Sequence, residues 1–242
     1  MRKMTLAGFA ILVTTGFAQA ADLPRSVYVP APTAFTHWTG FYIGGNVGGG
    51  WASAETDFSV GGAPFASATN NLNGVLGGVQ LGYNWQTGPA VFGVETDFQF
   101  TGMQGTLTAP TCAAAVCGVT TNASYSQKLP WFGTVRGRLG YAQDSWLVYG
   151  TGGYAYARLE TEASASAGAT SVSLSREETR SGWAAGAGVE LAFARNWSAR
   201  MEYLYVDLGR KDAVLAISGV PAIGEDSRVT QNLVRLGVNY RF

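Results

Sequence analysis

Apolar side chains alternate with polar residues or glycines, with a period of two, over eight separate segments of the sequence. In the segment 90–101, for example, Phe92 and Phe98 fall on one face, while Glu95 and Asp97 fall on the other. Successive side chains of a β-strand point to opposite faces, so this period predicts strands with one apolar face each. The predicted strands cover approximately 38–51, 71–85, 90–101, 124–141, 146–161, 180–193, 197–208 and 228–242.

The connections between these strands alternate in length. Tight turns follow the second, fourth and sixth strands. Long stretches rich in Ser, Thr, Ala and Gly follow the first, third, fifth and seventh strands and are predicted to be polar loops. Short turns on one side and long loops on the other are typical of outer-membrane barrels. We therefore predict an all-β fold over residues 38–242, an eight-stranded antiparallel transmembrane up-and-down β-barrel.

Composition supports this class. Charged residues make up 13% of the chain, well below the share of about 25% in ordinary globular proteins. The mean hydropathy is only +0.08, because in a membrane barrel only every second residue faces lipid. The formal net charge is zero, so no basic field is available to attract nucleic acid, and no nucleic-acid partner is predicted.

The beginning of the sequence predicts export from the cytoplasm. Two basic residues precede an apolar stretch at 6–17, and a small-x-small pattern ends at Ala20. These three parts in this order are typical of a secretory signal peptide. We predict a signal peptide over 1–20, cleavage between Ala20 and Ala21, and an irregular periplasmic arm over 21–37 that contains several prolines.

The two cysteines and the single histidine limit the chemistry that the exported chain can carry out. Cys112 and Cys117 are close in sequence, and in an oxidising compartment such a pair predicts one short disulfide. His37 is the only histidine, and no second cysteine pair accompanies it. Neither a metal site nor a cofactor is therefore predicted.

The polar faces of the strands carry a balanced set of charges. In a narrow barrel these faces point inward, and buried charges require partners of opposite sign. We predict that these charges form an ion network that, together with the bulk of Phe132 and Tyr154, closes the lumen. The eight residues are Glu95, Asp97, Arg136, Arg138, Glu190, Arg200, Glu202 and Arg235.

Several motifs carry a resemblance over essentially the whole exported chain. They are ADLP at 21–24, WTGFYIG at 38–44, GGVQLGYN at 77–84, GVETD at 93–97, GWAAGAGVE at 182–190 and VRLGVNYRF at 234–242. With these motifs the chain resembles the small outer-membrane immunogenic proteins of alpha-proteobacteria, a porin-like family with barrels of the outer-membrane-protein-A type. The resemblance implies location in the bacterial outer membrane, an eight-stranded multi-pass barrel and a surface antigen. It also implies that the terminal aromatic residue, Phe242, is recognised by the barrel assembly machinery.

We therefore expect a non-enzymatic outer-membrane protein with a structural and surface-interaction role. The expected partners are outer-membrane lipid, the barrel assembly machinery and an extracellular ligand that the sequence does not name. A small-solute porin is the main alternative. A lipid-modifying barrel enzyme is a weaker one, because it would need His37 to act as a base for a serine such as Ser198.

Overall fold

A computed structural model describes residues 37–60, 63–112, 121–167, 170–215 and 223–242. These residues form eight long β-strands joined in one wall. The strands are β1 (Gly40–Val60), β2 (Ala63–Thr87), β3 (Ala90–Cys112), β4 (Thr121–Gln143), β5 (Trp146–Ala167), β6 (Thr170–Ala192), β7 (Trp197–Leu215) and β8 (Ile223–Arg241). In the described part of the chain, no helix is long and apolar enough to cross a membrane.

Each strand pairs antiparallel with its neighbours in sequence, and β1 pairs with β8 to close the barrel. The closing register runs from Tyr42↔Arg241 to Val60↔Ile223. Closure supplies hydrogen-bond partners to main-chain groups that would otherwise lie at a sheet edge, which lipid cannot do. The predicted fold class, an eight-stranded antiparallel up-and-down barrel, is confirmed.

The outer face of the wall carries two belts of aromatic side chains separated by aliphatic ones. In β1 the belts are marked by Phe41 and Trp51, which are ten positions apart and both exposed on the outside. At about 3.3 Å per residue and a tilt of about 40°, this spacing corresponds to a height of about 25 Å, the height of the apolar band of membrane barrels. The lower belt lies beside the short turns, and the upper belt faces what we call the far end of the barrel.

The strands extend further toward the far end than the sequence pattern predicts. The pairing of β1 with β2 continues as far as Val60↔Ala63, and the strands reach lengths of 19 to 25 residues. Much of the sequence predicted to be polar loop is therefore strand. Runs of Ser, Thr, Ala and Gly are common in loops, but here cross-strand hydrogen bonds hold them extended.

The faces of β5 are the reverse of those predicted. The alternation places Tyr154 in the lumen and Tyr149 on the lipid face, yet Tyr149 is buried inside and Tyr154 is 54% exposed on the outside. β5 carries apolar side chains on both faces, so alternation alone does not distinguish them. The tight turn after β4 decides the orientation, because it fixes Gln143 opposite Trp146 and therefore Arg138 opposite Thr151. Directly opposed residues share a face of the sheet.

A β-bulge in β4 also moves Leu129 to the opposite face from the one predicted. The register between β4 and β5 shifts between Lys128 and Trp131, around Pro130, a residue that strands accept mainly at bulges and edges. Below the bulge, Phe132 points into the lumen as predicted. Above it, Leu129, which the alternation places on the lipid face, is fully buried inside.

Several predictions concern residues outside the described part of the chain. The signal peptide, its cleavage between Ala20 and Ala21, and all of the predicted arm over 21–37 except His37 lie there. Cys117 does too, so the predicted bridge to Cys112 stays a prediction.

The orientation of β5 can be tested with two matched substitutions. We expect Ala155→Leu to lower the free energy of unfolding by about 1–3 kcal/mol, since it overpacks a filled interior. Ala187→Leu makes the same change at a position of β6 that faces outward, where the larger side chain enters lipid without overpacking, so it should not lower the free energy of unfolding. Urea titration of the barrel folded in lipid vesicles measures both. Equal effects of the two substitutions would contradict the observed orientation.

Candidate functional site: the charged lumen

All eight charged residues predicted to line the lumen lie inside the barrel. Each is at most 5% exposed. They are Glu95 and Asp97 on β3, Arg136 and Arg138 on β4, Glu190 on β6, Arg200 and Glu202 on β7, and Arg235 on β8. The register explains their proximity, since Glu95 lies opposite Arg136, Glu190 opposite Arg200, and Glu202 opposite Arg235.

Arg136 is the most connected of these side chains. Its Nη2 atom lies 2.6 Å from Oε1 of Glu95 and 2.8 Å from Oδ2 of Asp97, and its Nη1 atom lies 3.1 Å from Oε1 of Glu202. Its Nε also donates to the Thr134 hydroxyl at 2.8 Å. One guanidinium thus joins three carboxylates from two strands that are not neighbours.

The other three arginines complete the network. Arg235 pairs with Asp97 at 3.1 Å and also with Glu202. Arg200 pairs with Glu95 at 2.5 Å, and Arg138 pairs with Glu190. Four positive and four negative charges therefore neutralise one another, which lowers the high cost of holding each one away from water.

Neutral side chains supply further hydrogen bonds to the carboxylates. The Tyr42 hydroxyl donates to Glu95 at 2.6 Å, and the Tyr149 hydroxyl donates to Glu202 at 2.9 Å. The guanidinium of Arg138 also lies 3.7 Å from the centre of the Tyr149 ring, a cation–π contact. Sequence reasoning missed Tyr149 because it placed this residue on the lipid face. The tight turn before β5 was the signal that could have found it.

Glu190 has a similar set of neutral donors. The Ser198 hydroxyl donates to its Oε1 atom at 2.5 Å, and Asn239 Nδ2 donates to the same oxygen at 2.9 Å. Ser198 is fully buried. Its hydroxyl is thus already engaged by a carboxylate and has no access to a substrate in the membrane.

The lumen is also filled below the charged section, at the end with the short turns. Trp38 is fully buried there and packs with a small apolar cluster that includes Val91 and Leu147. Its main-chain N–H donates to Gln86 at 2.7 Å. The guanidinium of Arg241 lies 4.5 Å from the centre of its ring. Trp38, two residues before β1, therefore acts as a stopper in this mouth of the barrel.

Toward the far end, a larger apolar cluster fills the lumen. Apart from Phe132, the lumen predicted from sequence does not include this cluster, because β-strand alternation places most aliphatic side chains on the lipid face. Its members come from all eight strands. They are Ala52, Ala54, Leu72, Leu76, Met103, Leu129, Phe132, Ala155, Ala157, Leu159, Ala184, Leu204, Val206, Leu208, Val229 and Leu233.

The arrangement offers little for catalysis. Glu95 and Asp97, which could suggest acid–base chemistry, are each held by arginines. His37 accepts a hydrogen bond from the Thr39 main-chain N–H at 3.3 Å, and within the described ranges no serine forms a hydrogen bond with it. Among the residues that the structure describes, no cluster of histidine, cysteine or carboxylate side chains could hold a metal ion.

Comparisons with known proteins agree with a membrane barrel. The model of the outer membrane protein beta-barrel domain family matches residues 9–242. The 31 kDa outer-membrane immunogenic protein of Brucella melitensis is 37% identical, with 100% of each chain covered. The 22 kDa outer membrane protein of Rhizobium leguminosarum is 31% identical over 85% of this chain and 78% of its own length.

A solved structure is also similar. The outer membrane protein OprG from Pseudomonas aeruginosa has 15% sequence identity and a TM-score of 0.47, with 85% of this chain and 97% of that chain covered.

Removing one arginine from the charged section should destabilise the barrel strongly. We expect Arg136→Met to lower the free energy of unfolding by about 3–5 kcal/mol, because it leaves three buried carboxylates with fewer positive partners. Arg210→Met is the matched control. It breaks an exposed pair with Asp226, with an N–O distance of 3.0 Å, and should cost less than about 1 kcal/mol. Urea titration in vesicles compares them, and similar losses would show that the network does not stabilise the fold.

Proposed function

This chain belongs to the outer membrane protein beta-barrel domain family and is a protein of the bacterial outer membrane, and from that premise we propose a non-enzymatic role with a closed lumen. In this role the barrel anchors the protein in lipid, and the residues at the far end interact with molecules outside the cell. The observation that carries the proposal is the charged section, whose eight side chains are buried and paired with one another.

The packing of the lumen supports closure. An eight-stranded barrel has an interior just wide enough for side chains to fill, whereas aqueous porin channels have about 16–18 strands. Here the charged section lies between the Trp38 stopper and the large apolar cluster. A solute would have to separate buried ion pairs and displace apolar side chains, both of which carry a large energetic cost.

The far end supports a surface role. Short turns of outer-membrane barrels face the periplasm, so the strand extensions beyond the upper aromatic belt project outside the cell. Relatives in Brucella carry the name outer-membrane immunogenic protein, and exposure at the cell surface would account for an immune response to this chain as well. The partners we propose are outer-membrane lipid along the belts and an extracellular ligand at the far end.

Planar-bilayer recording tests the closed lumen. The purified monomer should show no stable conductance of porin size, while a 16-stranded porin reconstituted in the same way provides the positive control. The double variant Glu202→Ala/Arg235→Ala removes one charge of each sign and should raise ion leakage above that of the wild type. A large, stable conductance from the wild-type monomer would instead favour the small-solute porin.

We also propose that Phe242 is recognised during assembly. Its ring is 76% exposed on the outside of the barrel and contacts Tyr240, with ring centres 5.2 Å apart. Its main-chain N–H donates to Phe41 at 3.1 Å. The ring is therefore accessible to the assembly machinery, while the main chain takes part in closing the barrel.

Phe242→Ala should reduce the amount of folded barrel in the outer membrane several-fold, since it removes the ring but keeps that main-chain hydrogen bond. Phe193→Ala removes another exposed ring from the lower belt and should leave assembly unchanged. The measurement is the fraction of protein that migrates as folded barrel on unboiled detergent gels. Equal yields for the two variants would refute the role of Phe242.

A further inference from the structure

The barrel wall forks beyond the upper aromatic belt. The register between β6 and β7 ends at Trp183↔Asp207, although β6 continues upward to Thr170 and β7 to Leu215. Above this point, β6 stays paired with β5, while β7 stays paired with β8. Among the residues that the structure describes, no strand therefore pairs with positions 170–181 of β6 on the side opposite β5.

A bulge in β7 causes the fork. The β7–β8 register shifts between Asp207 and Arg210, and Gly209 takes a φ of +70°, a left-handed conformation that favours glycine. The Gly209 main-chain N–H donates to Oδ1 of Asp207 at 2.9 Å. At the fork itself, Gly182 lies against the Asp207 carbonyl so closely that a Cβ atom would not fit. Bulges bend a strand and end its pairing, and this one turns β7 away from β6.

Side chains bridge the base of the gap between β6 and β7. Lys211 Nζ donates to the Thr179 carbonyl at 3.3 Å and pairs with Glu178 at 2.6 Å. Arg180 Nη1, from β6, donates to the Ser227 carbonyl of β8 at 2.9 Å. Burial by itself raises the pKa of Glu178, but the hydrogen bond from Lys211 and the charge of Arg180 outweigh it and hold the pKa below its usual range. The Lys211 side chain thus crosses the gap at this level.

The direction of the Thr179 carbonyl identifies the main-chain groups on the open side. Both main-chain groups of a strand residue point to the same neighbour, and alternate residues point the same way. Since the Thr179 carbonyl faces β7, the main-chain groups of Ser171, Ser173, Ser175 and Glu177 face the gap as well. All four of these residues are exposed, and three of them carry a small side chain that leaves the edge accessible.

We propose that this free edge of β6, residues 171–179, binds an extended segment of a different protein outside the cell as an added β-strand. Main-chain hydrogen bonds would supply the affinity, as in other cases of strand addition to an exposed sheet edge. The serine-rich edge suits a partner segment without proline and with small or β-branched side chains. This inference deepens the surface role proposed above and rests on it, but it does not depend on closure of the lumen.

The choice of a polypeptide follows from the chemistry of the edge. It offers alternating N–H donors and C=O acceptors at the spacing of a strand, which a second main chain matches residue by residue. The charged side chains nearby are largely paired, Arg158 with Glu177 and Arg210 with Asp226. An anionic glycan or a phosphate group would find few free cations there.

The test uses the full-length barrel folded in detergent micelles and a fluorescein-labelled octapeptide of alternating Thr and Val. Fluorescence anisotropy should show saturable binding to the wild type. Ser173→Pro/Ser175→Pro removes two N–H groups from the open edge, a position where strands tolerate proline. Binding should weaken by about tenfold or more, because each main-chain hydrogen bond contributes roughly two- to tenfold in affinity.

Matched controls separate main-chain pairing from other contacts. Ser173→Ala/Ser175→Ala keeps both N–H groups and should bind like the wild type. A fully N-methylated octapeptide cannot pair with the edge and should not bind, which keeps the test decisive even if the proline variant does not fold. Three outcomes would overturn the proposal. The wild type does not bind the peptide, the methylated peptide binds equally well, or a folded proline variant binds with the affinity of the wild type.

A self-association of the wild type that competes with the peptide and disappears in the proline variant would also overturn it, in favour of pairing between copies. Because the lumen is not involved, the conductance of the proline variant should equal that of the wild type. Failure of peptide binding with an unchanged, closed lumen would reject the edge without rejecting the closed barrel.

Discussion

The main-chain hydrogen bonds between β1 and β8 are the interaction on which the rest of this structure depends. Without them, an eight-stranded sheet would expose two unpaired edges to hydrocarbon, where no water is available to bond them. With them, the wall is continuous from Tyr42↔Arg241 upward. Closure then divides every strand into one face for lipid and one face for the lumen, and all further features follow from what each face must contain.

Because the lumen is narrow, charged side chains on the inner face of the wall are buried at a cost in free energy. Four arginines and four carboxylates are held away from water, and each would be costly alone. They are arranged around Arg136, so each charge has an opposite charge within hydrogen-bond distance. Tyr42 and Tyr149 also donate hydrogen bonds to the carboxylates. Apolar clusters lie above and below this charged section.

Beyond the upper aromatic belt the constraint on the main chain relaxes, since water can bond an open strand edge. The wall forks there between β6 and β7, and the β2–β3 register ends in a similar way at Asn73↔Gln104. In each case a β-bulge lies close to the fork, between Phe100 and Met103 in β3 or at Gly209 in β7. The part of the barrel beyond the upper belt thus has open strand edges, which hydrocarbon would not allow.

Period-two alternation and turn residues are local signals, so the fold class, the number of strands and the short turns can be predicted from the sequence. It also selected the eight charged side chains that the structure brings together in the lumen, since a charge on the polar face of a membrane strand has nowhere else to lie. The family resemblance added the location, which the comparisons confirm.

Only the tertiary structure decided the features that depend on pairing between strands. The register with β4, not the hydrophobicity of β5, places Tyr149 in the lumen and Tyr154 in lipid. Cross-strand hydrogen bonds, not composition, turn stretches rich in Ser and Thr into strand. The bulge at Gly209 opens the edge of β6. In each case local preference is weak or equal for the alternatives, and contacts between residues distant in sequence make the choice.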